Sequence, residues 1–444
     1  MKQFCGQMGS KLAYGVVMAV YLLILLVLFG VLPGGCRSAP GGVANGFVAI
    51  GVILPAGAAP SAAQDFQDGV ELAVSIVNDR LELPLPMAAG VGLNRHGGVP
   101  LRAVYRQPTA NTGAALLAFT DLAVASGVKV VLSGLSDDAS LAVSERAEAM
   151  GIPLLSCLAP AARLTQRRFH WFFRLNPDDT LMVDDFLAHW QEILAQPGAP
   201  APPRLTLVHD KGLRGVGAAR AVRNAAAQGG LNILAKIVYD PAEPSLVPVA
   251  LANRHFLHDE IVVLQAGRVE QANLWLQTWQ SLGIRPRAVL VLPFAGASAD
   301  FLKCASNAAT PILMQPLEDA AVPGSNFLQT WAAYLFRQRF GREFSSTAAI
   351  SLTGTLVLAD ALNRAQKLNG RDIRKALLQT DIPGEQLPLP WHGVRFDPQT
   401  GQNVLAAAYI GQVRNGKVEL VWPRTVAASS VAWPCQAGTT ESRP

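Results

Sequence analysis

Three groups of residues in this chain have the types and spacing to do chemistry. His255-x-x-His258-Asp259-Glu260 places imidazoles and carboxylates in one short stretch, the donor set a divalent metal takes. Gly215-Val-Gly217-Ala-Ala-Arg220 has the paired glycines with which a backbone approaches a dinucleotide pyrophosphate. Cysteines at 5, 36, 157, 304 and 435 supply thiols. Context weakens each group. The histidine cluster stands beside a strand start, where such residues are more often solvated than ligating. Arg220 occupies the third small position of the glycine motif, so its side chain would hold the helix away from a bound dinucleotide. No Cys-x-x-Cys pair occurs, and the wide cysteine spacing has none of the density of a disulfide scaffold. Setting aside Cys5 and Cys36 leaves an odd number, which favours buried small hydrophobes over a structural bridge. Neither Gly-x-Ser-x-Gly nor Gly-x4-Gly-Lys-Ser/Thr is present. The chain therefore reads as a non-enzyme without cofactor or metal.

The elements that would position a site alternate regularly. Ala49-Ile-Gly-Val-Ile-Leu54 is a short β-branched run ending at Pro55, and Phe66, Val70, Ala73 and Val77 then recur at helical spacing. The same strand-then-helix order repeats at Leu101 to Tyr105 and Asn111 to Ser126, then at Lys129 to Leu132 and Ala139 to Met150, with a further strand at Pro153 to Ser156. Strands separated by helices cannot pair as hairpins. They imply a parallel sheet covered on both faces, with a ligand beyond the carboxyl ends of its strands. A proline-rich break at Pro197 to Pro203 precedes a second series: strands at Leu205 to Val208, Asn232 to Tyr239, Glu260 to Leu264, Ala288 to Leu292 and Pro311 to Met314, with helices that include Gly215 to Gln228 and Val269 to Leu282. Helices at Asn326 to Phe340, Thr347 to Lys367 and Arg371 to Gln379 follow. Asn403 to Trp422 alternates apolar and polar residues around Asn415-Gly416, a hairpin signal. The length suits two α/β domains.

Several segments carry a family likeness: Ile50-Gly-Val-Ile-Leu-Pro55, Gly69-Val-Glu-Leu-Ala-Val-Ser-Ile-Val-Asn78, Gly151-Ile-Pro-Leu-Leu-Ser156, Phe172-Phe-Arg-Leu-Asn-Pro-Asp178, Gly393-Val-Arg-Phe-Asp397, Gly401-Gln402-Asn403 and Val421-Trp-Pro423. In order and spacing the chain resembles the type I periplasmic binding proteins of the branched-chain amino-acid class, the extracytoplasmic receptors of ABC importers. The resemblance spans nearly all of residues 46 to 425. It implies an α/β fold of two doubly wound Rossmann-like lobes joined by a three-crossing hinge, lobe 1 comprising residues 46–174 and 316–400 and lobe 2 residues 175–315 and 401–425. It also implies a monomer that traps a small-molecule ligand by closure and presents it to an ABC permease.

Family members hold the ligand carboxylate with hydroxyls and amides from two loops of the first lobe, which align here with Ser133 to Ser140 and Ser156 to Ala161. The implied ligand residues are Ser136, Asp138, Ser140, Ser156 and Ala159, although capping of the helix by Ser136, Asp137 or Asp138 is an equal reading. The second loop departs from the pattern, because Pro160 offers no donor. Across the cleft, Arg214 and Arg268 stand at usual tyrosine positions, and Phe294 stands where an acid would meet the ligand ammonium. Two guanidiniums gained and a carboxylate lost point to a ligand with carboxylate or other acceptor groups rather than a simple α-amino acid. The alternative, that both arginines are solvated loop residues, stays open.

Before the body, an uncharged apolar run from Leu12 to Leu32 follows Lys2 and Lys11, which keeps the N-terminus cytoplasmic. Leu32-Pro-Gly-Gly-Cys36 resembles a lipoprotein box, with Pro33 in place of an aliphatic residue. Residues 1–36 thus read as a leader with lipidation at Cys36, ahead of an uncleaved membrane anchor or plain secretion. Residues 37–46 read as a linker and 426–444 as a flexible tail. Every version puts the body outside the cytoplasm, membrane-attached in the first two. Net charge is +5, or +3 without Lys2 and Lys11, and the basic residues are dispersed, which excludes a nucleic-acid stripe. A tethered ligand sensor or envelope-assembly regulator on the same fold is the competing function.

Overall fold

The computed structural model describes residues 46–56, 60–81, 83–188, 204–229, 231–247, 251, 260–292, 299–314, 327–424, 427 and 429–432. The leader with Cys36, His255 and His258, Phe294, the break at 197–203 and most of the tail lie outside the described residues.

The first sheet holds five strands in the order β2-β1-β3-β4-β5: β1 (Val48–Ile53), β2 (Leu101–Arg106), β3 (Val131–Ser133), β4 (Leu154–Ser156) and β5 (Phe172–Arg174). All pair in parallel, with Val48 opposite Leu101 and Gly51 opposite Val131. Successive side chains leave a strand on opposite faces. Accordingly Val52, Leu132, Leu155 and Phe173 enter one core, while Ile53, Val131, Leu154 and Phe172 enter the other. Burial on both faces explains the continuous apolar runs. One face is covered by α1 (Pro60–Asn78), and the other by α2 (Thr112–Val124) and α3 (Asp137–Met150). A four-residue helix, α4 (Arg163–Gln166), follows β4.

The second sheet has seven strands. In chain order they are β6 (Arg204–Asp210), β7 (Asn232–Tyr239), β8 (Glu260–Gln265), β9 (Ala288–Val291), β10 (Ile312–Met314), β13 (Ile410–Arg414) and β14 (Lys417–Trp422). The last two are antiparallel, and Asn415 and Gly416 turn between them at φ 50° and 73°, as a two-residue hairpin with mirror-image turn geometry requires. Helices α5 (Asp179–Ala188) and α6 (Leu213–Gln228) pack together, and the small residues of α6 meet one face of the sheet. On the other face lie α7 (Val269–Ser281), with Trp275 and Trp279, and α8 (Ala299–Ser306), with Phe301.

The chain passes between the sheets after β5, after β10 and before β13. The second passage returns it to α9 (Phe327–Phe340), α10 (Ser346–Arg364) and α11 (Gly370–Leu378), on the α1 side of the first sheet. Buried on nearly every side, α10 crosses α1 at close backbone range, since a Cβ at Gly69 would collide with the Ala348 carbonyl and Ser351 Oγ. A two-stranded ladder of β11 (Asp381–Pro383) and β12 (Gly393–Arg395) leads into the third passage.

Periodicity assigns no element to residues 172–188, where the structure has β5 and α5, nor to β11 and β12. Each of these three strands carries a charged residue within three positions (Phe-Phe-Arg, Asp-Ile-Pro, Gly-Val-Arg), so none shows the uninterrupted apolar run that marks the equally short β3, β4 and β10. Cys157 is fully buried, and burial pushes its thiol pKa up, as suits a packed small hydrophobe. Gly217 lies inside α6 rather than in a phosphate-approaching turn. Among the described residues no metal-ligating cluster occurs, and no helix is long and apolar enough to cross a membrane.

Candidate cleft site

Loops at the carboxyl edges of the two sheets meet one another. The segment after β4 reaches the start of α5 through the Asp179 amide, which donates to the Pro160 carbonyl at 2.9 Å. Between α4 and α6, Arg220 Nη2 donates to Gln166 Oε1 at 2.5 Å. Each loop is shaped locally. Asp210 Oδ1 accepts from the Gly212 amide at 2.7 Å and turns β6 into α6. Gln271 Oε1 accepts from the amides of Gly267 and Arg268 at 2.8 and 3.2 Å, closing the start of α7.

A knot of charge sits where these loops converge. Arg214 donates through Nη2 and Nε to Asp179 Oδ1 at 3.1 and 3.2 Å, with the two side chains 11% and 1% exposed. Asp137 Oδ1 accepts from the Ala161 amide at 2.7 Å, tying the first turn of α3 to the loop after β4. Arg174 is fully buried; its Nη2 donates to Asp178 Oδ2 and Thr165 Oγ1, both at 2.8 Å, and its Nη1 to the carbonyls of Ala159 and Ala161 at 3.3 and 2.7 Å. Its Nε donates to Gln402 Oε1 at 2.6 Å. Three carboxylates therefore share two guanidiniums. Burial raises the pKa of Asp179 from its ordinary 3.8 to about 6 against the opposing pull of Arg214. Burial also raises that of Asp137, again against Arg214.

The residues singled out from the sequence fall unevenly around this knot. Ser136 is the exposed N-cap of α3, and its hydroxyl makes no capping bond. Asp138 is exposed in the first turn, while Asp137, rather than either neighbour, is the one engaged with the loop. Ser140 is buried, with Oγ donating to the Leu135 carbonyl at 3.4 Å. Ser156 Oγ is buried without a hydrogen-bond partner, and the Ala159 carbonyl faces Arg174. Arg214 is neither solvated nor open, because Asp179 holds it. Arg268 is the exposed N-cap of α7 and forms no ion pair among the described residues. Arg174, Asp178, Asp179 and Gln402 were not singled out as site residues. The sequence held an arginine and an aspartate close together in Arg174-Leu-Asn-Pro-Asp178, but between a strand end and a helix start no spacing rule pairs them; the folded chain does.

The family model for periplasmic binding proteins matches residues 48–417. The chain belongs to that family. Its members bind solutes outside the cytoplasm and are not enzymes. A Leu/Ile/Val-binding protein homolog of Brucella abortus is 25% identical over 320 residues, 69% of this chain and 76% of the relative. Among solved structures, the branched-chain amino-acid transporter substrate-binding protein LivJ of Streptococcus pneumoniae, in complex with isoleucine, is 20% identical with a TM-score of 0.66, covering 88% of this chain and all of the other. A solute-binding protein of an ABC transporter from Rhodopseudomonas palustris, in complex with 3,4-dihydroxybenzoic acid, is 14% identical with a TM-score of 0.59 over 84% of this chain and 95% of its own. At these identities the structural likeness is one of fold.

Proposed function

We propose that this protein is the substrate-binding component of an ABC importer, tethered outside the cytoplasm through Cys36, and that its two lobes close on a small carboxylate-bearing ligand. The observation that carries this reading is the first-lobe edge of the cleft. There the leading amides of α3 have no intrahelical partners, the Ser136 hydroxyl is uncommitted, and Ser156 Oγ is buried unpaired. Those groups are donors, and a carboxylate is the acceptor that suits them. The ligands named for two proteins of this fold, isoleucine and 3,4-dihydroxybenzoic acid, share that group.

Arg214 does not serve this reading as a free cation, since Asp179 already neutralises it. Arg268 keeps that role, exposed on the opposite lobe. The carboxylates of the knot are engaged by the Ala161 amide, Arg174 and Arg214, so they supply no open counter-charge for an ammonium, and Phe294 at the acid's usual position disfavours a zwitterion. Calorimetry on the body from residue 37 onward tests the reading with L-leucine, 4-methylpentanoate, 3,4-dihydroxybenzoate and isopentylamine. At least one carboxylate should bind, isopentylamine should not, and Ser136→Ala should weaken binding about tenfold, the cost of roughly one charged hydrogen bond. Equal binding of the amine and the acids would refute a carboxylate site.

A further inference from the structure

Arg174 is a guanidinium whose acceptors come from both the cleft loop and the connections between lobes. Its backbone is paired to the third passage: its amide donates to the Gly401 carbonyl and its carbonyl accepts from the Asn403 amide, each at 2.9 Å. Its side chain then divides. Nε reaches Gln402 on that third passage and Nη2 reaches Asp178 on the first, whereas Nη1 and the second Nη2 bond reach Ala159, Ala161 and Thr165 in the segment after β4. Five N–H donors thus meet five acceptors, and the residue is wholly buried. Gln402 spreads the contact further, because its Nε2 donates to the carbonyls of Asn176 and Asn403, both at 3.0 Å.

We infer that Arg174 is a positioning residue that couples the loop Cys157–Ala161 to the two connections it touches, so that displacement of either shifts the other. A planar fork with every donor engaged leaves no rotamer in which one set of bonds is kept and the other released. On its far side the same loop is held by Asp137 through the Ala161 amide. Movement at a ligand-facing loop therefore reaches the interlobe connections through one rigid group, and by reciprocity the connections bias the loop. This deepens the binding reading, in which loop and lobes must move together.

Amide hydrogen exchange on the ligand-free body tests the coupling, so a failed search for a ligand leaves the test intact. Gln402→Ala touches only the connection side of the fork. It should raise exchange at the Ala161 and Leu164 amides by at least about tenfold, together with residues 401–403, while β1 and β8 keep their protection. Gln402→Glu, which retains the acceptor for Arg174 Nε but loses the donor to the carbonyls of Asn176 and Asn403, should restore protection at Ala161 and Leu164. Arg174→Lys, if it folds, should loosen both regions at once. Faster exchange confined to residues 401–403, or a uniform rise across both sheets that follows a lowered Tm, would overturn the proposal.

Discussion

At the scale of single residues, Arg214 shows how a side chain can be chemically conspicuous and still be spoken for. Its partner Asp179 lies 35 positions upstream on a different helix. Removing the guanidinium leaves a buried carboxylate unpaired, so Arg214→Met should destabilise the protein by about 3–5 kcal/mol in urea titrations near pH 8. A loss below about 1 kcal/mol would mean that the pair is solvated. Asp179 also sets a pH dependence. Its folded pKa of about 6 stands above the ordinary 3.8, so the folded state holds the proton more tightly than the unfolded one. This group's contribution to stability is complete below the unfolded value and is lost as pH rises through the folded value. Asp137, raised by burial in the same knot, acts in the same sense, with Arg214 and Arg174 opposing the rise and Asp138 adding to it. The Tm of the wild type relative to Asp179→Asn should therefore fall between about pH 4 and pH 6; a difference that grows over that interval would reverse the assignment. Side-chain identity was legible in the sequence, but partnership was not. Arg174 and Gln402 are 228 residues apart, and no spacing rule joins them.

At the scale of elements, what could be read was what has a period or a punctuation mark. The helices from Asn111, Val269 and Thr347 and the strand Asn232–Tyr239 lie within a few residues of their expected bounds, and Asn415-Gly416 marks its hairpin. The short strands β5, β11 and β12 were not legible, because a charged residue in each breaks the apolar run by which the equally short β3, β4 and β10 could be read. Close packing of two helices was equally hidden, since Gly69 inside α1 reads as a weak helix former until α10 is placed against it. Gly69→Val should force α1 and α10 apart and cost about 1–3 kcal/mol, read as a lower urea midpoint with an unchanged slope. Neutrality there would show that the helices are not in backbone contact.

At the scale of the whole molecule, the restart of the strand-helix rhythm after the prolines at 197–203 was enough to read two α/β lobes, and the family resemblance supplied the crossing pattern that rhythm alone could not. The physical reason is that parallel sheets are specified by which strands neighbour one another, a property of long-range packing rather than of local sequence. Function follows from the relation between the lobes. Loops at both carboxyl edges converge on Asp137, Asp179, Arg174 and Arg214, and the connections beside them are tied to one of those loops. In the capture we propose, a ligand that bridges the edges would favour a closed arrangement by the difference in its affinity for the two arrangements.

Small-angle X-ray scattering of the body, titrated with whichever of L-leucine, 4-methylpentanoate or 3,4-dihydroxybenzoate binds most tightly by calorimetry, measures that closure directly. The radius of gyration should fall on the order of 1 Å at saturation, following the calorimetric isotherm, as hinge closure around a ligand requires. Tight, saturable binding with an unchanged radius of gyration would contradict capture by lobe closure.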